Sequence, residues 1–192
     1  MERNSQGPGT VLMVMDIMAN ILGRVKDREG LLTQINAAIA AARAAQIPII
    51  YVVVGFRKGL PEVSDANKAF AAIKGNPSYA AGLEQPGVDP SVAPQPGDII
   101  VTKRRYSAFT GSDLEVILRA HRAEHLVLTG ISTSGVVLST LREAADKDYR
   151  LSVLSDGCAD PDDEVHTVLV TKVFPRQAEV LTTGQWVGRI AK

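Results

Sequence analysis

Residues 125–141 read HLVLTGISTSGVVLSTL. The apolar run Leu126–Leu128 closes at Thr129-Gly130, and three small hydroxyl residues follow, Ser132, Thr133 and Ser134. Val137, Leu138 and Leu141 then recur at three- and four-residue intervals, the spacing of one helix face. A buried strand, a tight turn and a helix in that order form half of a βαβ unit. The helix start facing the strand end is where an α/β protein holds a nucleophile or an anion. Here it carries Val136 and Val137, and neither can attack anything.

The same alternation extends in both directions. TVLMVMD (10–16) and IPIIYVVV (47–54) read as strands, the second with Pro48 at its edge. REGLLTQINAAIAAARAAQ (28–46) between them reads as a long helix. DIIVTK (98–103), HLVLTG (125–130), YRLSVLSD (149–156) and AEVLTT (178–183) complete a set of six strands. Helices are expected over 112–122, with Ser112 or Asp113 as N-cap, over 134–147, and over 160–174, where Pro161 and acidic residues fill the first turn. Residues 57–97 are read as irregular apart from a helix at 63–74. The stretch from 76 is dense in Gly and Pro, which marks a lid, a substrate loop or an oligomer contact. These elements predict a doubly wound three-layer α-β-α sandwich around a mostly parallel six-stranded sheet. Residues 10–192 form its single domain, after a flexible lead-in at 1–9.

Composition narrows the function. Of 192 residues 45% are hydrophobic and 22% charged, with 21 basic against 21 acidic side chains. Such a balance supplies no field to recruit nucleic acid or an acidic membrane. The apolar run Val11–Met15 is far shorter than the roughly 20 residues of a membrane span. A single cysteine, Cys158, excludes an internal disulfide framework and a multi-cysteine metal site. The expectation is a cytoplasmic protein that acts on a small molecule.

Doubly wound sheets bind ligands beyond the carboxyl ends of their strands. Asp16 ends the first strand, Arg57 follows the second, Lys103 ends the third and Ser132-Thr133-Ser134 follow the fourth. Asp156 ends the fifth, with Cys158 just beyond. Asp16 sits among apolar neighbours, so desolvation raises its pKa unless a cation stands close. Lys103 is expected to face it and to hold it as a proton-transfer group.

VLMVMDIM (11–18), VTKRRYSAFTGSDLEVIL (101–118) and LVLTGISTSGVVLSTLREAADKDYRLSVLSDGCAD (126–160) together resemble the isochorismatase-like hydrolase superfamily, from residue 10 to about 182. Its amidohydrolases use an Asp–Lys–Cys triad at the first, third and fourth strand ends. The resemblance puts Asp16 and Lys103 at the first two positions and Val136, in Thr133-Ser134-Gly135-Val136-Val137, where the cysteine stands. It also implies a non-proline cis peptide near Ile131-Ser132 and an oxyanion hole of backbone N–H groups from Ser132 or Thr133 and Val136. Arg57, Ser134 and Gly135 become candidate substrate contacts. Homo-oligomers, dimer or tetramer, are implied as well.

Valine excludes a thioester mechanism. The buried Cys158 reads as a core thiol, and no Gly-x-Ser-x-Gly elbow accompanies Ser132 or Ser134. His121 and His125 lie at the wrong end of the fourth strand and His166 inside a helix, so a Ser-His-Asp arrangement is not expected. YVVVGFRKGLPEV (51–63) lacks the histidines that the resemblance would need for zinc, so neither metal nor cofactor is expected. The isochorismatases of the superfamily work without the cysteine, the aspartate protonating an enol-ether carbon. Asp16 as general acid for vinyl-ether cleavage is the favoured reading. The alternative is a catalytically silent member that binds a small molecule or serves as an assembly subunit, and a third is direct water attack on an amide or ester.

Overall fold

Strand β1 (Thr10–Met15) is apolar on both sides because it lies at the centre of a covered sheet. Leu12 and Val14 point into one core, while Val11, Met13 and Met15 point into another on the opposite face. That two-residue alternation is the pleat. Each such side chain, almost wholly removed from water, stabilises the fold by roughly 1.5–3 kcal/mol. The computed structural model describes residues 9–92 and 94–191. The expected lead-in therefore lies, but for Gly9, outside the described residues.

β2 (Ile49–Val54), β3 (Ile99–Lys103), β4 (His125–Ile131), β5 (Arg150–Ala159) and β6 (Glu179–Leu181) complete one sheet in the order β3-β2-β1-β4-β5-β6. Every pairing is parallel. The order reverses between β1 and β4, and a crevice opens at the carboxyl ends of strands whose crossovers leave in opposite directions.

Helices α1 (Ala19–Leu22) and α2 (Arg28–Ala44) pack on one face, together with α8 (Thr183–Ile190). α2 buries Leu31, Ile35, Ala38, Ile39 and Ala42 along one stripe, and the Asp27 carboxylate caps its first turn at Gly30 N, 2.9 Å away. On the other face lie α5 (Leu114–Ala120) and α6 (Leu138–Asp146), joined by Leu169 and Phe174 from the chain that follows α7 (Asp163–Val168).

The sequence reading needs correction at several element ends. Residues 57–97 carry α3 (Lys68–Lys74), α4 (Pro77–Glu84) and a 3-10 turn at Pro90–Val92. α3 starts five residues later than the expected 63, because Asn67 caps it by accepting from Phe70 N. The segment folds back over the strand ends, with Phe56 N donating to Leu83 O at 2.8 Å and Asp89 N to Ile17 O at 2.8 Å. α5 begins after Asp113, whose side chain makes no capping bond; Ser112 Oγ instead accepts from Leu114 N. The helix expected over 134–147 opens as a π turn, Thr133–Val137. That expected over 160–174 starts at Asp163 behind the N-cap Asp162 and passes into a π turn, Leu169–Val173, and a 3-10 turn, Phe174–Arg176.

β5 does not stop at Asp156 but runs to Ala159. Its register with β4 slips between the pairs Leu128↔Val153 and Gly130↔Cys158, an irregularity that period-two patterning cannot show. α8, held by a capping box between Thr182 and Gln185, follows the last strand without having been expected.

Candidate active site

Asp16 is the first residue past β1 and takes a left-handed backbone, φ 55°. Its N–H still extends the ladder to Val52 O, and its carbonyl accepts from Met18 N at 2.9 Å, so the chain turns sharply while the side chain stays beneath it. Lys103 ends β3, where Gly55 N donates to Lys103 O and fixes its level in the sheet. The two side chains meet across the end of β2, with Lys103 Nζ 2.9 Å from Asp16 Oδ2. Both are buried, at 2% and 7% side-chain exposure. Lys103 Nζ also donates to Arg105 O at 2.9 Å, so its direction is set from two sides.

Burial raises the Asp16 pKa above its ordinary value, and the neighbouring Lys103 charge opposes that rise. Asp16 Oδ1 is buried with no hydrogen-bond partner among the described residues.

The end of β4 lies against the same strand. Met15 and Gly130 are register partners, and a Cβ on Gly130 would sit 2.2 Å from Met15 O, so only glycine permits the approach. Gly130 has φ 140°. The Ile131–Ser132 peptide is cis. Ser132 is extended and leads into the π turn, where Thr133, Gly135, Val136 and Val137 are buried and Ser134 is exposed. A Cβ at Gly135 would come within 2.8 Å of Ser132 Oγ and 3.5 Å of the Tyr106 ring, so the turn is packed against the loop that follows Lys103. Val136 is 2% exposed and belongs to the core that also holds Met15 and Cys158.

Arg57 is an exposed side chain, bonded to Glu62 Oε1 at 2.6 Å. Glu62 also lies 3.6 Å from Arg104 Nε, and Arg105 donates to the Glu62 carbonyl at 2.8 Å. Ser134 spends both its N–H and its hydroxyl on Asp160 Oδ2, at 2.8 and 2.6 Å.

Asp156, expected at the crevice, turns its carboxylate to α8 instead. With β5 slipped in register, its carboxylate caps α8 by accepting from Thr183 N and Oγ1, at 2.7 and 2.8 Å. Cys158 lies inside β5 rather than beyond it, and burial pushes its thiol up to about 12, so a thiolate is suppressed. His121 is exposed, while His125 is buried at the opposite end of the sheet between Thr10 and Ser152. His166, set aside as a helix residue, brings Nδ1 to 2.8 Å from Thr133 Oγ1. It and Asp160 are the neighbours of the turn that sequence reasoning missed. Asp160 was visible only as the start of an expected helix, and nothing in the spacing paired either residue with residues 133 and 134.

Among the described residues no group of three or more His, Cys, Asp or Glu side chains is arranged to hold a metal ion. No helix among them is long and apolar enough to cross a membrane.

An all-parallel sheet with a buried Asp–Lys pair at its strand ends, and with a cis peptide and a helix start at the end of the strand next to that of Asp16, defines the class. Residues 10–185 match the isochorismatase domain, and the chain belongs to the isochorismatase family of hydrolases. It is 36% identical over 145 residues to the ureidoacrylate amidohydrolase RutB of Stutzerimonas stutzeri, a match that covers 69% of this chain and 58% of that protein. The RutB protein of Pseudomonas syringae pv. syringae is 34% identical over 173 residues, 78% of this chain and 70% of its own length. The matched region thus spans little more than half of the first relative and just over two thirds of the second.

Among solved structures, an isochorismatase family protein from Burkholderia thailandensis superposes with a TM-score of 0.82 at 26% identity, covering 97% of both chains. A cysteine hydrolase from Pseudomonas syringae pv. phaseolicola gives 0.85 at 25% identity, over 95% of this chain and 92% of that one.

Proposed function

We propose that this protein is a hydrolase of a small molecule in which Asp16 is the general acid and base, Lys103 is its partner, and no thiol takes part. The observation that carries the reading is the buried Asp16–Lys103 pair at 2.9 Å, with Asp16 Oδ1 left without a partner beside it. A buried ion pair is a poor source of stability compared with an apolar pair of the same volume, so its presence at a strand-end crevice favours a chemical use.

Val136 stands where the superfamily's amidohydrolases have their cysteine, and the one cysteine of the chain is buried with its pKa raised to about 12. Chemistry that needs no covalent intermediate fits such a site best, and vinyl-ether cleavage is the favoured case. In the protonated form, which burial favours and Lys103 opposes, Asp16 gives its proton to the terminal alkene carbon, and the double-bond electrons form that new C–H bond. The adjacent carbon becomes an oxocarbenium centre. Water adds there and loses a proton to the Asp16 carboxylate, which restores the acid. The hemiketal then splits into a ketone and an alcohol.

Lys103 stabilises the carboxylate in the interval when it is charged. The backbone N–H groups of Ser132 or Thr133 and of Val136 form the oxyanion-stabilising surface, with Ser134 and Gly135 as the floor. Arg57 serves as an anion contact for the substrate once Glu62 shares it. The protein acts in the cytoplasm as a homo-oligomeric single-domain enzyme, dimer or tetramer, without a cofactor. Relatives that bear the name ureidoacrylate amidohydrolase support a second use of the same groups, water attack on an amide with Asp16 as the base.

The test is turnover of carboxylate-bearing vinyl ethers and of small amides and ureido acids, with Asp16→Asn and Lys103→Ala as controls. Vinyl-ether turnover that disappears in Asp16→Asn supports the reading. Equal inactivity of all three proteins, with a ligand that still raises the melting temperature, overturns it in favour of a silent binding member.

A further inference from the structure

Asp160 leaves the sheet just after Ala159, the register partner of Ile131, and so emerges beside the cis peptide. The residue is buried and its carboxylate is fully engaged. Oδ2 takes both the N–H and the hydroxyl of Ser134, and Oδ1 takes the N–H of Asp162 at 3.3 Å. One residue earlier, Thr133 is fully buried and its hydroxyl shares a 2.8 Å hydrogen bond with His166 Nδ1 on α7. Two consecutive residues of the turn are therefore gripped, one by a carboxylate and one by an imidazole.

The cluster has the parts of a hydroxyl nucleophile with its base, but the geometry is wrong for attack. Thr133 offers no surface, and the Ser134 hydroxyl already donates to Asp160.

We infer that Asp160 and His166 are positioning residues that clamp Thr133 and Ser134, and so hold the turn whose remaining donors, the N–H groups of Ser132 or Thr133 and of Val136, serve the reacting atoms beside Asp16. The inference rests on the hydrolase reading above for its catalytic consequence, though not for the clamp itself. The turn needs such support. It is a single π turn, a rare form found mostly as isolated turns at functional sites, and it carries Gly135 two residues after Thr133. Donors that stabilise developing charge act only when held in place beforehand. Asp160 also satisfies the N–H of Ser134, so that donor is spent within the protein.

The experiment measures hydrogen exchange at the amides of residues 133–137 and steady-state kinetics on a carboxylate-bearing vinyl ether, for wild type, Asp160→Ala, Asp160→Asn and His166→Ala. Asn keeps an acceptor oxygen for Ser134 and removes the charge; Ala removes both. The expected result in Asp160→Ala is exchange at least about tenfold faster, with kcat at least about tenfold lower and KM within about twofold of wild type. Asp160→Asn recovers most of both losses, and His166→Ala gives a smaller change of the same kind. Should Asp160→Ala not fold, Asp160→Asn and His166→Ala decide on the same two readouts. Unchanged exchange overturns the clamp, and faster exchange with unchanged kcat overturns its catalytic role. If wild type turns over neither vinyl ethers nor amides, the hydrolase reading fails, and exchange alone still tells whether the clamp exists.

Discussion

Lys103 Nζ lies 2.9 Å from Asp16 Oδ2, and both side chains are buried at the carboxyl end of the sheet, Asp16 on the strand beside which the strand order reverses. The strands that carry them, β3 and β1, are not neighbours; β2 lies between them. The pair thus ties two crossovers together and has a measurable effect on stability. Lys103→Met leaves the Asp16 carboxylate buried without its cation and is expected to cost about 3–5 kcal/mol in urea unfolding. The double variant Asp16→Asn/Lys103→Met removes both charges and recovers a large part of that loss. Additive losses would mean that the two groups do not interact.

The same pair sets the pH dependence of the rate. A general acid works only while protonated, and burial raises the Asp16 pKa while Lys103 holds it down. The rate is therefore expected to fall as pH rises through an apparent pKa above the ordinary carboxylate value. In Lys103→Met, residual activity shifts that limb to higher pH. A pH–rate profile of the two proteins checks the direction.

His125 governs acid stability from the other end of the sheet. Burial and the nearby Arg150 lower its pKa to about 4, from 6.5 for an exposed imidazole. The unfolded chain then takes up a proton between those values and the folded chain does not, so stability present above pH 6.5 is lost as pH falls toward 4. The full loss is about 3 kcal/mol. Urea unfolding at a series of pH values shows this slope, and His125→Asn flattens it.

Gly130 is the contact point between β1 and β4. Gly130→Ala places a methyl group 2.2 Å from Met15 O on a backbone with φ 140°, which no side chain adopts comfortably. The expected cost is about 2 kcal/mol or more. Turnover should fall with it, because the turn carrying Val136 moves away from Asp16. Thermal unfolding and kinetics on the same preparation test both.

The centre of this fold was legible and its edges were not. β1 to β4 announce themselves as short apolar runs, and Asp16 and Lys103 stand out as the first charged residues after two of them. α3 falls inside the helix expected at 63–74 and is shortened only by its cap at Asn67, whereas α4 is hidden among Gly and Pro, since a helix held over the strand ends by contacts such as Phe56 N to Leu83 O leaves little periodicity. The slipped register of β5 moved Asp156 out of the crevice to α8, which no local pattern encodes. Asp160 and His166 come together with Ser134 and Thr133 only across 26 and 33 residues of chain. Contacts of that range arise from the crossover of the sheet, not from spacing.

The central claim, hydrolysis by Asp16 without a protein thiol, is tested most directly by comparing Cys158→Ala, which has no cysteine, with Asp16→Asn on one vinyl-ether substrate. Cys158→Ala is expected to keep turnover within a few-fold of wild type, while Asp16→Asn loses about a hundredfold or more. An inactive Cys158→Ala beside an active Asp16→Asn, both folded, would contradict it.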